Sequence, residues 1–237
     1  YYDQAIEYAR REPVTPWMGA DSARHYQWYP FMNMGHYHIA KNGNERVNKE
    51  FVRNLRTGIE RTLEKAMESP YRHGIPYIWC SNNLTTAMMT QCRLYRELTG
   101  DDTYAEMEAS LRDWLFGCNP WGTSMIVELP AHGDYPSQPH SSYLNAGKGN
   151  TTGGLVDGPV YFNIFKHLEG VNMDGIPNRP GDDYARFQPD LMVYHDAIGD
   201  YSTNEPTMDG TACLTYYLSS LESDGAKQAA KQTSKKK

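Results

Sequence analysis

The stretch Tyr194-His195-Asp196-Ala197-Ile198-Gly199-Asp200-Tyr201-Ser202-Thr203-Asn204-Glu205 decides how this chain is read. Three carboxylates fall within it, interleaved with aromatic side chains and placed just ahead of a helical pattern that runs to Leu221. Apolar and aromatic surroundings, together with neighbouring like charges, raise the proton affinity of a carboxyl group. Paired carboxyls tuned in this way do general acid–base work, glycosidic bond cleavage included. On chemistry alone the same residues also read as a solvated acidic turn whose Asp and Glu cap the next helix.

Outward from this loop the chain is dominated by helical signals. From Asn44 to Met67 the apolar residues Val47, Phe51, Leu55, Ile59 and Leu63 recur every four positions, the stripe of a helix packed on one side. From Asn83 to Leu98 the stripe is Leu84, Ala87, Met88, Leu94, Tyr95 and Leu98, and Gly100 follows as a stop. Asp101 and Asp102 precede a further helix carrying Tyr104, Met107, Leu111, Trp114 and Leu115, ended by Gly117. Weaker helical patterns cover Tyr26 to Ala40 and Val160 to Leu168, and only Ser124 to Leu129 reads as extended. Long segments rich in Gly, Pro, Asn and His separate the helices at Pro70–Asn83, Gly117–Gly154 and Gly170–Asn204. Connections of that length in a compact domain tend to be functional, and rigid helices bearing them at one end make a base for a site.

Composition narrows the function classes. A formal net charge of -6 argues against the cationic face that a phosphate backbone requires, so nucleic acid is not an expected partner. No apolar run approaches the roughly 20 residues that span a bilayer, and no signal peptide is visible. Residues 225–237, with Lys227, Lys231, Lys235, Lys236 and Lys237, read as a disordered solvated tail, leaving residues 1–224 as the folded part. Cys80, Cys92, Cys118 and Cys213 lack metal-ligand spacing; Cys80 and Cys92 could pair in an oxidising compartment, or all four could be buried thiols. Tyr outnumbers Phe 18 to 6, which suits either a half-buried core or a surface that grips sugar faces.

The Tyr194–Ala212 stretch resembles the second signature of glycoside hydrolase family 9, the cellulase family. That signature places an aromatic, an Asp, a second aromatic, a Glu and two small residues at fixed spacing, and Tyr194, Asp196, Tyr201, Glu205, Thr207 and Ala212 land on it. Thr211 stands where the family has Asn. Trp79-Cys80-Ser81-Asn82-Asn83 resembles the family's aromatic-x-Ser-Asn segment, and Leu115–Ser124 its Leu-Gly-x-Asn-Pro-x-Gly-x-Ser stretch. Pro139-His140 sits where the family has Pro-His-x-Arg, and Gly154-Leu155-Val156-Asp157-Gly158-Pro159 resembles its Leu-Val-Gly-Gly-Pro. The resemblance extends from about Pro76 to Leu221.

The resemblance implies an all-α fold, part of an (α/α)6 barrel whose long loops build a substrate cleft. It implies an inverting hydrolase acting on a β-1,4-glucan polysaccharide or oligosaccharide, working as a secreted or periplasmic protein. Glu205 resembles the general acid and Asp196 the signature's Asp, together the expected catalytic pair of positions. His140, Asp200 and Tyr201 are the expected substrate-binding residues, joined by Trp79 and Trp121 as rings that sugar faces could stack on, with Tyr77 and Tyr143 beside them; Trp121 reads equally as a core residue. Ser142 and Ile198 replace two Arg residues of the family pattern, which removes bidentate donors to sugar hydroxyls.

The family's Asp-Ala-Gly-Asp segment, which carries the base, is not found; Gly19-Ala20-Asp21-Ser22 is the nearest string and does not match it. The resemblance therefore reads the chain as the C-terminal half of a catalytic domain, with the N-terminal half of that domain as its partner. No cofactor is expected. A structural Ca2+, as in some family members, has no twelve-residue loop pattern to hold it, and His36 and His38 lack metal-ligand spacing. The rival expectation is a carbohydrate-binding relative that keeps the cleft and has lost the chemistry.

Overall fold

Every residue of one helix from Ser81 to Tyr95 is buried, and the rest of the molecule is arranged around it. The computed structural model describes residues 1–11, 30–141, 147, 149–168 and 184–234. Among the described residues the helices are α1 (Tyr2–Arg11), α2 (Pro30–Asn42), α3 (Glu45–Ala66), α4 (Ser81–Thr99), α5 (Ala105–Leu115), α6 (Phe162–Leu168) and α7 (Met208–Ser234). Four two-residue strands complete the elements: β1 (Leu155–Val156), β2 (Val160–Tyr161), β3 (Met192–Val193) and β4 (Pro206–Thr207). The expected all-α class is therefore the observed one.

Helix α3 forms where its four-residue stripe predicts. Asn44 caps it, the side-chain oxygen accepting from the Val47 backbone N–H at 3.1 Å, an arrangement that stabilises a helix by about 1 kcal/mol. Its stripe of Val47, Phe51, Leu55 and Ile59 is buried, each such side chain contributing roughly 1.5–3 kcal/mol on leaving water. Helix α4 packs against α2, α3, α5 and α7. A helix covered on all sides must satisfy its polar residues internally. Gln91 accordingly donates to Leu55 O at 2.8 Å, Ser81 to Pro159 O at 2.7 Å and Asn83 to Asp209 Oδ1 at 3.1 Å. One cluster, from Leu55 on α3 through Trp114 and Trp121 to Tyr217, forms the main core, and a smaller one joins Ile6, Ile39, Ala40, Val47 and Phe51.

Several expectations change. Ser124–Leu129 is not a strand; Ile126 makes isolated bridges to Leu129 and Leu155 while Met125, Ile126 and Val127 run through the core. Residues 225–234, read as a disordered tail, are the last turns of α7. Ala, Gln and Lys are good helix formers, and Asp224 ties the helix to the buried Arg93 guanidinium at 2.9 Å. Residues 235–237 lie outside the described residues. Cys80 and Cys92 are both free thiols. They stand at the cap and in the interior of one helix, about 18 Å apart at 1.5 Å per residue, too far to bridge. Helix α1, which no apolar stripe marks, docks through Ile6 and through the Tyr2 hydroxyl, which donates to Ile39 O at 2.6 Å.

Candidate active site

Glu205 is placed by backbone pairing. Strands β1 and β4 pair antiparallel, Leu155 opposite Thr207 and Val156 opposite Pro206. One step beyond, Asp157 N–H donates to Glu205 O at 2.9 Å, and Gly158 N–H to Thr203 O at 3.0 Å. The first turn of α4 backs this pair, since Asn82 N–H donates to Asp157 O at 2.9 Å and the Asn82 amide to Val156 O at 2.9 Å. Helix α7 begins directly after β4, and Gly210 in its first turn is required by close approach. A Cβ there would lie 2.0 Å from Asn83 Oδ1. The Glu205 side chain is exposed. A carboxyl at the mouth of a packed scaffold, fixed through its main chain, can meet a ligand without losing its position.

The signature loop is held by its own polar residues. Asp196 accepts from Ser137 N–H at 2.8 Å, Ser137 Oγ at 2.9 Å, Gln138 N–H at 2.9 Å and Asn204 Nδ2 at 3.0 Å. Tyr194 is fully buried and donates to Asn204 Oδ1 at 2.9 Å. Asp200 is buried and accepts from Ser202 N–H and Oγ, Thr203 N–H and Oγ1, and His195 Nδ1 at 2.5–3.1 Å. Burial pushes the Asp200 carboxyl up, but His195 and the Ser202 and Thr203 hydroxyls outweigh it and hold the group below its ordinary value. Asp196 and Asp200, expected in the catalytic and substrate-binding sets, are thus committed to fixing the loops around Glu205. Their acceptor capacity is filled by protein donors.

An aromatic wall is built on the signature loop. Trp79, the residue before the α4 cap, lies parallel to Tyr201 with ring centroids 6.1 Å apart and 10° between planes. His140 meets Tyr201 edge-on at 6.0 Å. All three are half-buried, so each keeps an exposed face. His140 is anchored twice: its backbone N–H donates to Asn204 O at 2.9 Å, and Nδ1 lies 2.7 Å from Ile198 O. A ring nitrogen facing a carbonyl must carry the proton, which makes Nε2 the acceptor in the neutral ring. Cys80 links this wall to α4 from the left-handed region, at φ 58°.

The structure thus brings Trp79, Tyr201 and His140 into one aromatic group, and a backbone hydrogen bond joins His140 to Asn204, the residue before Glu205. It does not bring Trp121 there: that ring is 4% exposed, meets Trp114 and Tyr194 edge-on, and donates from Nε1 to Gln188 Oε1 at 2.7 Å. Trp121 is a core residue because the Gly117–Gly122 turn folds inward on α5. Tyr77 is buried likewise. Asp21, Ser142 and Tyr143 lie outside the described residues. Thr211, the departure from the signature, accepts from Leu155 N–H at 2.9 Å and donates to Thr207 O at 2.6 Å, bracing the strand pair. Asn204, Ser137, Gln138 and Asp157 were not singled out from sequence, and no periodic pattern distinguishes them. Among the described residues no cluster of His, Cys, Asp and Glu is arranged to hold a metal ion, and no helix is long and apolar enough to cross a membrane.

An all-α scaffold whose helices are joined by long loops defines a class of protein, the helical folds that carry their sites on loops. The sequence profile of Glycosyl hydrolase family 9 matches residues 1–218, and the chain belongs to that family. The match reaches further toward Tyr1 than the motif resemblance does. Solved structures share the fold. A metagenome-derived glycoside hydrolase family 9 endoglucanase is similar at 20% identity and TM-score 0.60, over 89% of this chain and 36% of that one. The family 9 endoglucanase J30 is similar at 20% identity and TM-score 0.63, over 90% and 38%. A thermostable endoglucanase from Alicyclobacillus acidocaldarius is similar at 18% identity and TM-score 0.61, over 92% and 41%. The chain therefore spans well under half the length of these relatives, as part of an (α/α)6 barrel. No curated protein matches it.

Proposed function

We propose that this chain supplies the acid side of an inverting glycoside hydrolase site that cuts β-1,4-glucosidic bonds in cellulose or a related β-glucan. The observation that carries the reading is the exposed Glu205 carboxyl, fixed through its backbone in the same loop as Tyr201, a ring that Trp79 and His140 adjoin. Glu205 protonates the leaving oxygen while a carboxylate outside this chain deprotonates water on the opposite face of the sugar. In an inverting site the two carboxyls stand roughly 6.5–9.5 Å apart to admit that water. The half-buried rings of Trp79 and Tyr201 give apolar sugar faces a surface to stack on, with the His140 ring at the same wall. A polymeric substrate places the protein outside the cytoplasm, secreted or periplasmic, with the remaining half of the catalytic domain as its partner. The endoglucanase names of the structural neighbours support this reading.

The test is Glu205→Gln in a polypeptide carrying the complete catalytic domain. Loss of a general acid lowers turnover on β-glucan by roughly 10²–10⁴-fold with the fold retained. Unimpaired hydrolysis overturns the assignment. Sugar binding without hydrolysis in the unsubstituted protein turns the reading into that of a carbohydrate-binding relative, which the missing Arg at Ile198 favours.

A further inference from the structure

Behind Glu205 lies a second carboxyl that the reaction as proposed does not use. Asp157 is 3% exposed, and it stands at the first Gly of the family's Leu-Val-Gly-Gly-Pro pattern. Its backbone is fully engaged, N–H to Glu205 O and O to Asn82 N–H, both at 2.9 Å. Its side-chain oxygen Oδ1 is buried with no hydrogen-bond partner among the described residues. A second orphan acceptor belongs to the same cradle: Asn82 Oδ1 is buried and unpartnered. The Asn82 amide cannot be turned round to cure this, because Nδ2 is held by Val156 O at 2.9 Å. The Asn82 side chain lies directly against the backbone at Gly158, where a Cβ would meet its Oδ1 at 2.5 Å. Two buried acceptors left unpaired cost about 1–3 kcal/mol each. A proton on Asp157 Oδ1 shared with Asn82 Oδ1 would remove both deficits at once.

We propose that Asp157 is a positioning residue for Glu205, folded as a neutral carboxylic acid that donates its proton to Asn82 Oδ1 and so fastens α4 to the strand pair bearing Glu205. This rests on the reading of Glu205 as the catalytic acid. The groups that face Asp157 agree with a neutral state. Burial, then the carboxylates of Glu205, Asp200 and Asp209, push its proton affinity well up, and only the Cys80 thiol at the α4 cap acts the other way. A neutral Asp157 leaves Glu205 free to take and give its proton without a charged carboxylate behind it. At a pH high enough to ionise Asp157, a charge appears in the cradle with no cation among these neighbours to meet it.

The experiment compares the unsubstituted protein with Asp157→Asn and Asp157→Gly, following side-chain carboxyl carbons by NMR across pH. The expected result is an Asp157 carboxyl that stays protonated at neutral pH. Asp157→Asn, whose amide can donate to Asn82 in the same place, retains the thermal stability and leaves the Glu205 titration midpoint where it was. Asp157→Gly orphans Asn82 Oδ1 again and lowers the melting temperature. If a water or ion bridges the two acceptors instead, Asp157 is ionised. Asp157→Asn then moves the Glu205 midpoint down by removing a neighbouring negative charge, and the proposal is overturned. These readouts need no turnover. A protein in which Glu205→Gln leaves hydrolysis intact would sink the proposed function while the Asp157 result still stood or fell by itself.

Discussion

Asp196 was legible as a position and not as a role. The signature spacing marks it, but spacing cannot tell that Ser137 and Gln138, about 60 residues earlier in the chain, are the donors its two oxygens accept from. The same holds for Asp200, whose partners are its own loop's Ser202, Thr203 and His195. Glu205 was legible as a position, an exposed carboxyl in the turn ahead of α7. Asp196→Ala leaves two backbone N–H groups, the Ser137 hydroxyl and the Asn204 amide without their acceptor. Since Asp196 is half-buried and water can replace part of this, the expected cost is about 1–3 kcal/mol in urea unfolding. A loss below a few tenths would mean that the loops hold together without it.

Among the elements, α3, α4 and α5 were read from apolar periodicity, which works where one face is buried. Periodicity has less to say about α4, whose buried faces include Ser81, Asn82, Asn83, Thr85, Thr86, Thr90 and Gln91. It has nothing to say about the last turns of α7, which bury no face at all. The segment ahead of α4 was read only as a long loop, yet it is welded to its neighbours by His73. That ring stacks on Trp114 at 3.9 Å and lies 3.2 Å from Tyr77 OH and 3.0 Å from Thr85 Oγ1. Burial lowers its pKa to about 3, against about 6.5 in an unfolded chain. Between those values the unfolded chain binds a proton that the folded one refuses. The stability due to His73 is therefore complete above about pH 6.5 and is lost on acidification, by about 1.4 kcal/mol per pH unit. Asp157 acts in the opposite sense, its contribution being complete in acid and lost as pH rises. Urea unfolding of the wild type and of His73→Phe at pH 7 and pH 5 separates the two. The variant starts less stable because Tyr77 and Thr85 lose a partner, and the gap narrows in acid. A gap that does not change with pH would show that His73 titrates normally.

At the scale of the whole molecule, the fold class and the family were visible in motifs scattered from Trp79 to Ala212, while the family profile extends to Tyr1. In the N-terminal part α2 was read only from a weak helical pattern and α1 not at all, because they pack through the small cluster of Ile6, Ile39, Ala40, Val47 and Phe51 without a long stripe. The site itself was half legible. Glu205, His140, Tyr201 and Trp79 were marked by their motifs, Trp121 was left between stacking and core because a loop Trp in sequence can turn either way, and Asp157 was passed over inside a motif that reads as glycine-rich. The disposition of the indoles has a further consequence. Trp114 and Trp121 are sealed in the core, whereas Trp79 keeps a wet face against Tyr201. The fold thus has a built-in optical gauge of cleft occupancy. Among the tryptophans of the described residues, dissolved acrylamide should dim the Trp79 emission first, and a β-glucan oligosaccharide lying on the ring should shield it. Trp79→Phe should erase that shielding, and shielding that survives the substitution would place the sugar elsewhere.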